Sequence, residues 1–194
     1  MNQAISLIVG LGNPGPEYAE TRHNAGFRFL ERLCAAQRAA LRHEARFQGD
    51  WTRFTLAERD LWLLAPQTFM NHSGESVQKF AHYYKIPVAQ ILVVHDEIDL
   101  PPGTVRLKVG GGDGGHNGLK SVTAQLGTGE YVRLRLGVGR PATSAQVESY
   151  VLKRAPAPEQ TLIDETISES LRHIDDIVRG NLSKVMNLLH AHVR

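Results

Sequence analysis

Apolar runs and helically spaced apolar residues alternate along the chain. Residues 5–9 are an apolar run that ends at Gly10, the pattern of a buried strand opening into a loop. Residues 24–40 follow, with Phe27, Leu30, Leu33 and then Leu41 at helical spacing, which predicts an amphipathic helix. Residues 47–56 and 61–65 read as two strands joined by a hairpin around Glu58, Arg59 and Asp60. After Pro66 a loop leads to Ser73, an N-cap candidate with Ser76 as the alternative, and a helix runs on to Tyr84 before Pro87 stops it. Residues 91–94 form a wholly apolar strand that delivers His95, Asp96 and Glu97 at its carboxyl end. A strand over 105–109, a glycine run, a helix over 119–126 and an alternating strand over 131–138 complete the middle of the chain. From Pro158 the pattern is helical to about residue 178, breaks at Gly180-Asn181 and resumes over 182–190.

This alternation predicts a single α/β domain over 1–194, with a mixed, mostly parallel central sheet flanked by helices on both faces. Such sheets hold ligands in the crevice beyond the carboxyl ends of their strands. Asn13 follows the first strand and Asp96 ends a later one, so both fall where a site belongs. The stretch from Arg154 to Pro158 is too short to separate two domains.

Composition narrows the function. With 194 residues, 42% hydrophobic and 22% charged, the chain falls outside the disordered, collagen-like and coiled-coil classes. The net charge of +2 gives no strong overall field, so contact with nucleic acid has to rest on a local basic patch. The single cysteine, Cys34, excludes an internal disulfide and fits a reducing compartment, and it reads as a small packed hydrophobe. The start has no basic segment followed by a long apolar one, and no apolar run is long enough to span a bilayer, so a cytoplasmic location without membrane contact is expected.

Four polar segments carry the candidate chemistry: Gly10 to Gly15 with Tyr18, Arg22, His23, Asn24 and Gly26; Phe69 to Gly74; His95 to Gly103; and Gly110 to Gly118. Gly10, Gly12 and Gly15 match a dinucleotide fingerprint, but Pro14 interrupts it and no acidic residue ends a second strand at the required distance. A tight turn accounts for two of those glycines and leaves Asn13 unexplained. His43, His82, His173, His190 and His192 sit in mixed-polarity helical surroundings and read as solvated. His23 lies between a turn and a helix start, where an imidazole can take a proton from water if a carboxylate orients its other nitrogen. Asp96 and Glu97 are the partners at hand, and Asp96 follows directly on the rigid apolar run. A metal held by His23, His95, Asp96, Asp99, Asp113 and His116 lacks any paired-ligand spacing in support. The glycine run offers unobstructed backbone N–H groups for a phosphate or an oxyanion. Asn13, Asn71 and Asn117 suit a substrate rich in carbonyls and amides. Arg106, Lys108, Arg133 and Arg135 alternate on two strands, either as a phosphate patch or as a solvated strand face.

Together the segments resemble bacterial peptidyl-tRNA hydrolase: V-G-L-G-N-P-G followed by T-R-H-N-A-G, then T-F-M-N-x-S-G, H-D-E-x-D-L-P-P-G and G-G-G-x-G-G-H-N-G-L-K, in the same order. The resemblance implies a monomeric esterase without metal or cofactor that frees tRNA from peptidyl-tRNA that has left the ribosome. Its catalytic histidine falls on His23 and its orienting carboxylate on Asp96. Asn13 matches the position that separates a blocked α-amine from a free one, through an amide oxygen that accepts the substrate N–H. Tyr18, Phe69, Met70, Asn71, Gly115, His116 and Asn117 match its peptidyl-tRNA contacts, and Lys108 and Arg135 match its contacts to the tRNA 5′-phosphate. The chemistry agrees: His23 would activate water against the ester carbonyl, with Asn71 or the glycine-loop N–H groups meeting the oxyanion. Two other classes remain at this level, a module that only shields tRNA ends and a dinucleotide-dependent oxidoreductase.

Overall fold

The computed structural model describes residues 3–190; Met1, Asn2 and residues 191–194, His192 among them, lie outside the described residues. In chain order the elements are β1 (Leu7–Gly10), α1 (Ala25–Gln37), β2 (Arg42–Glu44), β3 (Gly49–Leu56), β4 (Arg59–Pro66), α2 (Ser73–Tyr83), β5 (Ile91–Glu97) and β6 (Val105–Val109). Then come α3 (Asn117–Leu126), β7 (Val132–Gly137), α4 (Val147–Val151), α5 (Ala157–Arg172), α6 (Ile174–Arg179) and α7 (Leu182–His190).

The strands form one sheet in the order β2-β3-β4-β1-β5-β7-β6. β1 runs parallel to β4 and β5, and β5 parallel to β7, while the remaining pairs are antiparallel. Period-two alternation splits the central strands between two cores. Ile8, Leu92, Val94 and Leu134 meet Phe29 and Leu30 of α1, Ile167 of α5 and Val185 of α7. On the other face Leu7, Val9, Leu64 and Val93 meet Val77 and Phe80 of α2 and Leu119 and Val122 of α3. After β1 the chain crosses one face through α1 and builds β2 to β4 on one side; after β4 it crosses the other face through α2 to β5. The reversal at β1 opens a crevice at the carboxyl ends of β1, β4 and β5.

Several boundaries differ from the sequence reading. The hairpin turns at Ala57-Glu58, both with positive φ (52° and 64°), and pairs Leu56 with Arg59, so Arg59 and Asp60 already belong to β4. This is a two-residue turn whose twist matches the strands, formed here without the usual Asn or Gly. Neither Ser73 nor Ser76 caps α2; Ser73 Oγ donates instead to the Met70 carbonyl at 2.7 Å. The long C-terminal helix is two, α5 and α6, separated where the His173 N–H donates to the Ser170 carbonyl. Ile163, Ile167, Ile174 and Ile177 keep helical spacing across that tight turn, so periodicity does not reveal it. β2 is wholly polar and α4 spans only five residues, and the sequence reading placed neither. Among the described residues no helix is long and apolar enough to cross a membrane.

Candidate active site

The loop after β1 is fixed by close packing. A Cβ on Gly10 would lie 2.3 Å from the Gly26 carbonyl oxygen, and one on Gly26 would lie 2.4 Å from the Val94 oxygen. These two glycines let the start of α1 rest on β1 and β5. Gly12 lies against the Phe27 ring, and of the three fingerprint glycines only Gly15 has positive φ (110°). The turn explanation therefore holds for one glycine rather than two.

A two-way latch ties this loop to the helical turn Arg22–Asn24. The Asn13 N–H donates to Asn24 Oδ1 and Asn24 Nδ2 donates to the Asn13 carbonyl, each at 2.9 Å. On the other side of His23, buried Arg22 donates to the Tyr150 carbonyl at 2.8 Å, and its guanidinium lies 3.7 Å over the Tyr150 ring. Arg22 and Asn24 stood in the motif without a role; flanking His23 was their only signal. Both hold the turn that presents it.

His23 Nδ1 lies 3.0 and 2.9 Å from the two oxygens of Asp96. Nδ1–H is therefore the donor, and Nε2 is left with a free lone pair on the ring edge facing the cleft. Burial disfavours the charged imidazole, but the charge of Asp96 and its hydrogen bond outweigh burial and raise the His23 pKa above its ordinary 6.5. Asp96 is itself buried, which alone would raise its pKa, yet His23 and His116 hold it well below the usual carboxylate range. Glu97, the alternative partner, points elsewhere and accepts from Arg135 Nε at 2.9 Å.

His116 belongs to this cluster, which its reading as a peptide contact did not foresee. Its Nδ1 accepts from the Gly118 and Leu119 N–H groups at 3.1 and 3.3 Å and so caps α3. Nε2 consequently carries the proton and donates to Asp96 Oδ1 at 2.8 Å. His95 is buried beside it; its Nδ1 donates to the Asp96 carbonyl at 2.8 Å, and burial with His116 nearby lowers its pKa to about 3. His95 is thus a neutral packing group.

The ligating atoms of His23, Asp96 and His116 lie within 4.8 Å of one another. A metal fits this set poorly. Binding through His116 Nε2 would move its proton to Nδ1 and turn that atom, as a donor, against the two N–H groups that cap α3.

The cluster lines a cleft of about 600 Å³ that also takes in Asn13, Phe69, Met70, Asn71, Gly115 and Asn117. Asn71 and Asn117 are exposed there, and neither side-chain amide has a hydrogen-bond partner among the described residues. Asn13 Oδ1, the atom expected to receive the substrate N–H, accepts the Met70 N–H at 2.7 Å. Asn13 therefore turns its NH₂ group, a donor, toward the cleft. Tyr18 stands behind exposed Phe69, ring edge to face at 6.5 Å. Val147, Glu148 and Val151 of α4 form the opposite wall, which the sequence reading left without an element.

The glycine run is a clamped loop. Arg133, 2% exposed, donates to the carbonyls of Gly111 (2.7 Å), Gly129 (3.1 Å) and Gly112, and lies 4.5 Å over the Tyr131 ring. The register pairs Lys108 with Arg133 and Arg106 with Arg135, so all four cations share one face. The patch is nevertheless smaller than four charges. Arg133 is buried in the loop and Arg135 is paired with Glu97, which leaves Arg106, half-buried and donating to the Val105 carbonyl, and Lys108, exposed and without an ion-pair partner among the described residues. Cys34 is buried at the base of α1, and burial raises its thiol pKa, as a packing role requires.

Comparison with known proteins converges on one family. The model of the family "Peptidyl-tRNA hydrolase" matches residues 7–194. A peptidyl-tRNA hydrolase of Marinomonas sp. (strain MWYL1) is 51% identical over 186 residues, 95% of this chain and 96% of the relative. That of Nitrosomonas europaea is 52% identical over 191 residues, 98% of both. The crystal structure of the Acinetobacter baumannii peptidyl-tRNA hydrolase superposes with a TM-score of 0.95 at 44% identity, covering 99% of this chain and 98% of that one.

Proposed function

The chain belongs to the peptidyl-tRNA hydrolase family, and from that premise we propose how its cleft cleaves the ester between a peptide and the 3′-terminal ribose of tRNA. His23 Nε2 takes a proton from water as the oxygen attacks the ester carbonyl, and gives it to the ribose oxygen as the tetrahedral intermediate collapses and the ester bond breaks. Asp96 keeps His23 basic and orients it, and His116 holds Asp96 from the other side. The observation that carries this reading is the pairing of His23 Nδ1 with both oxygens of buried Asp96, at the floor of the cleft. Asn71 and Asn117 offer unpartnered amides to the peptide and the developing oxyanion. The Asn13 NH₂ donates to a substrate carbonyl, while Phe69, backed by Tyr18, gives the peptide an apolar surface. Lys108, with Arg135 where it exchanges Glu97 for the ligand, meets the tRNA phosphate. The enzyme acts as a monomer without a metal and recycles tRNA from peptidyl-tRNA lost by the ribosome.

Single-turnover release of an N-acetyl-aminoacyl group from tRNA tests this, with unacetylated aminoacyl-tRNA and an EDTA-treated sample alongside. Rapid release of the acetylated substrate alone, unchanged by EDTA, is expected. Binding of tRNA without release would leave only a module that shields tRNA ends, and loss of release with EDTA would restore the metal.

A further inference from the structure

Phe69 borders two cavities. One is the cleft; the other is a groove of about 520 Å³ lined also by His43, Gln48, Gln67, Thr68, His72 and Glu75. We propose that this groove is a subsite for the peptide residues upstream of the ester-linked one, recognised through their backbone. The inference rests on the hydrolase reading above.

The order of strands sets the direction. Asp96 lies at the carboxyl end of the central strand β5, and His23, in the turn before α1, pairs with it there. Lys108 and Arg135, on β6 and β7, stand to one side and take the tRNA. Gln48 precedes β3, and Gln67 and Thr68 follow β4, so the groove stands on the other side. A substrate whose ester sits over His23, with its tRNA toward β7, sends its peptide toward β4 and β3.

The lining suits a peptide backbone. Gln48 Oε1 accepts from Lys79 Nζ at 2.6 Å, which leaves its NH₂ to donate to a carbonyl. Gln67 donates weakly to the Ala65 carbonyl at 3.4 Å, which leaves Oε1 to accept an N–H. Thr68 Oγ1 is buried without a hydrogen-bond partner. The charged groups at the rim are paired, His43 with Asp50 and His72 with Glu75, so the groove has no excess of cations to attract RNA phosphates.

The spacing gives a length. From β5 to β4 and β3 is two to three strand separations, about 10–14 Å. An extended chain covers that distance in roughly three to four residues. A single N-acetylated amino acid stops short of the groove.

The test is a series of N-acetylated substrates of one to six residues on the same tRNA, hydrolysed by wild type, by Gln67→Ala/Thr68→Val and by Ala45→Trp, a substitution that fills the groove because Ala45 also lines it. In wild type kcat/KM should rise about tenfold between one and five residues and then level off, the worth of one or two net hydrogen bonds. Both variants should flatten that rise to about twofold. The ratio of long to short substrate is taken within one preparation, so a variant that folds poorly still reports. A flat wild-type series, or variants that keep the full rise, overturns the subsite while leaving the hydrolase reading intact. No release of any substrate by wild type overturns both.

Discussion

The base proposed at His23 acts only when neutral, and its neighbours set the pH at which that form takes over. Asp96 raises the His23 pKa against the opposing effect of burial, so the acid limb of kcat/KM should lie above pH 6.5, with activity rising through it. Asp96→Asn removes the charge that raises the pKa and leaves burial in place, so the limb should move down as the rate falls. A pH–rate profile in which the limb stays put would remove Asp96 from this role. His23→Ala should cost on the order of 10²–10⁴ in turnover, measured under single-turnover conditions. Asn13→Asp is expected to act twice. It replaces the NH₂ donor facing the cleft with a carboxylate, which weakens hydrolysis of peptidyl-tRNA, and it adds a charge that welcomes a free α-ammonium. The ratio of peptidyl to aminoacyl rates should therefore fall, and the two rates measured side by side decide it.

At the scale of elements, the active face depends on two supports that hold loops to the sheet. Gly10 and Gly26 seat α1, and with it the His23 turn, on β1 and β5. Arg133 clamps the glycine loop that leads into α3, and His116 at the start of α3 holds Asp96. Removing the guanidinium gives up three part-buried hydrogen bonds, to the carbonyls of Gly111, Gly112 and Gly129, worth about 3 kcal/mol together. Arg133→Met should therefore lower the melting temperature by about 6–12 °C for a chain of this size. Thermal unfolding of wild type and variant measures it, and an unchanged midpoint would mean that the clamp is idle. Glycine richness suggested open N–H groups for a ligand; the loop's stiffness comes from an arginine on a distant strand, which composition cannot reveal.

Across the whole molecule, charge nearly balances, with 22 Lys and Arg against 20 Asp and Glu. On the side proposed for tRNA, Arg133 is buried and Arg135 pairs with Glu97, which leaves Lys108 and Arg106 on that face of β6 and β7. Binding of tRNA should accordingly depend weakly on salt, with a slope of log K against log salt of about −1 to −2, one or two phosphate contacts. Lys108→Ala should reduce that slope by about one. Fluorescence titrations at several salt concentrations give both values, and a steep slope insensitive to Lys108 would place the phosphate contacts elsewhere.

The sequence by itself determined the order of the main elements, the two-sided sheet and the four polar segments of the cleft, though not β2, α4 or the break between α5 and α6, because burial imposes a period on side chains and tight loops demand particular residue types. It determined His23 and Asp96 as a candidate pair, since His23 stands between a turn and a helix start and Asp96 follows directly on a rigid apolar run. Only the tertiary structure decided how polar groups divide their hydrogen bonds. Asn13 Oδ1 is committed to Met70, which lies 57 residues away; Arg133 to the glycine loop; Arg135 to Glu97; and His116 to Asp96. A polar side chain has several donors or acceptors but satisfies them with whatever neighbours folding supplies. Those neighbours are remote in sequence, and no local pattern records them.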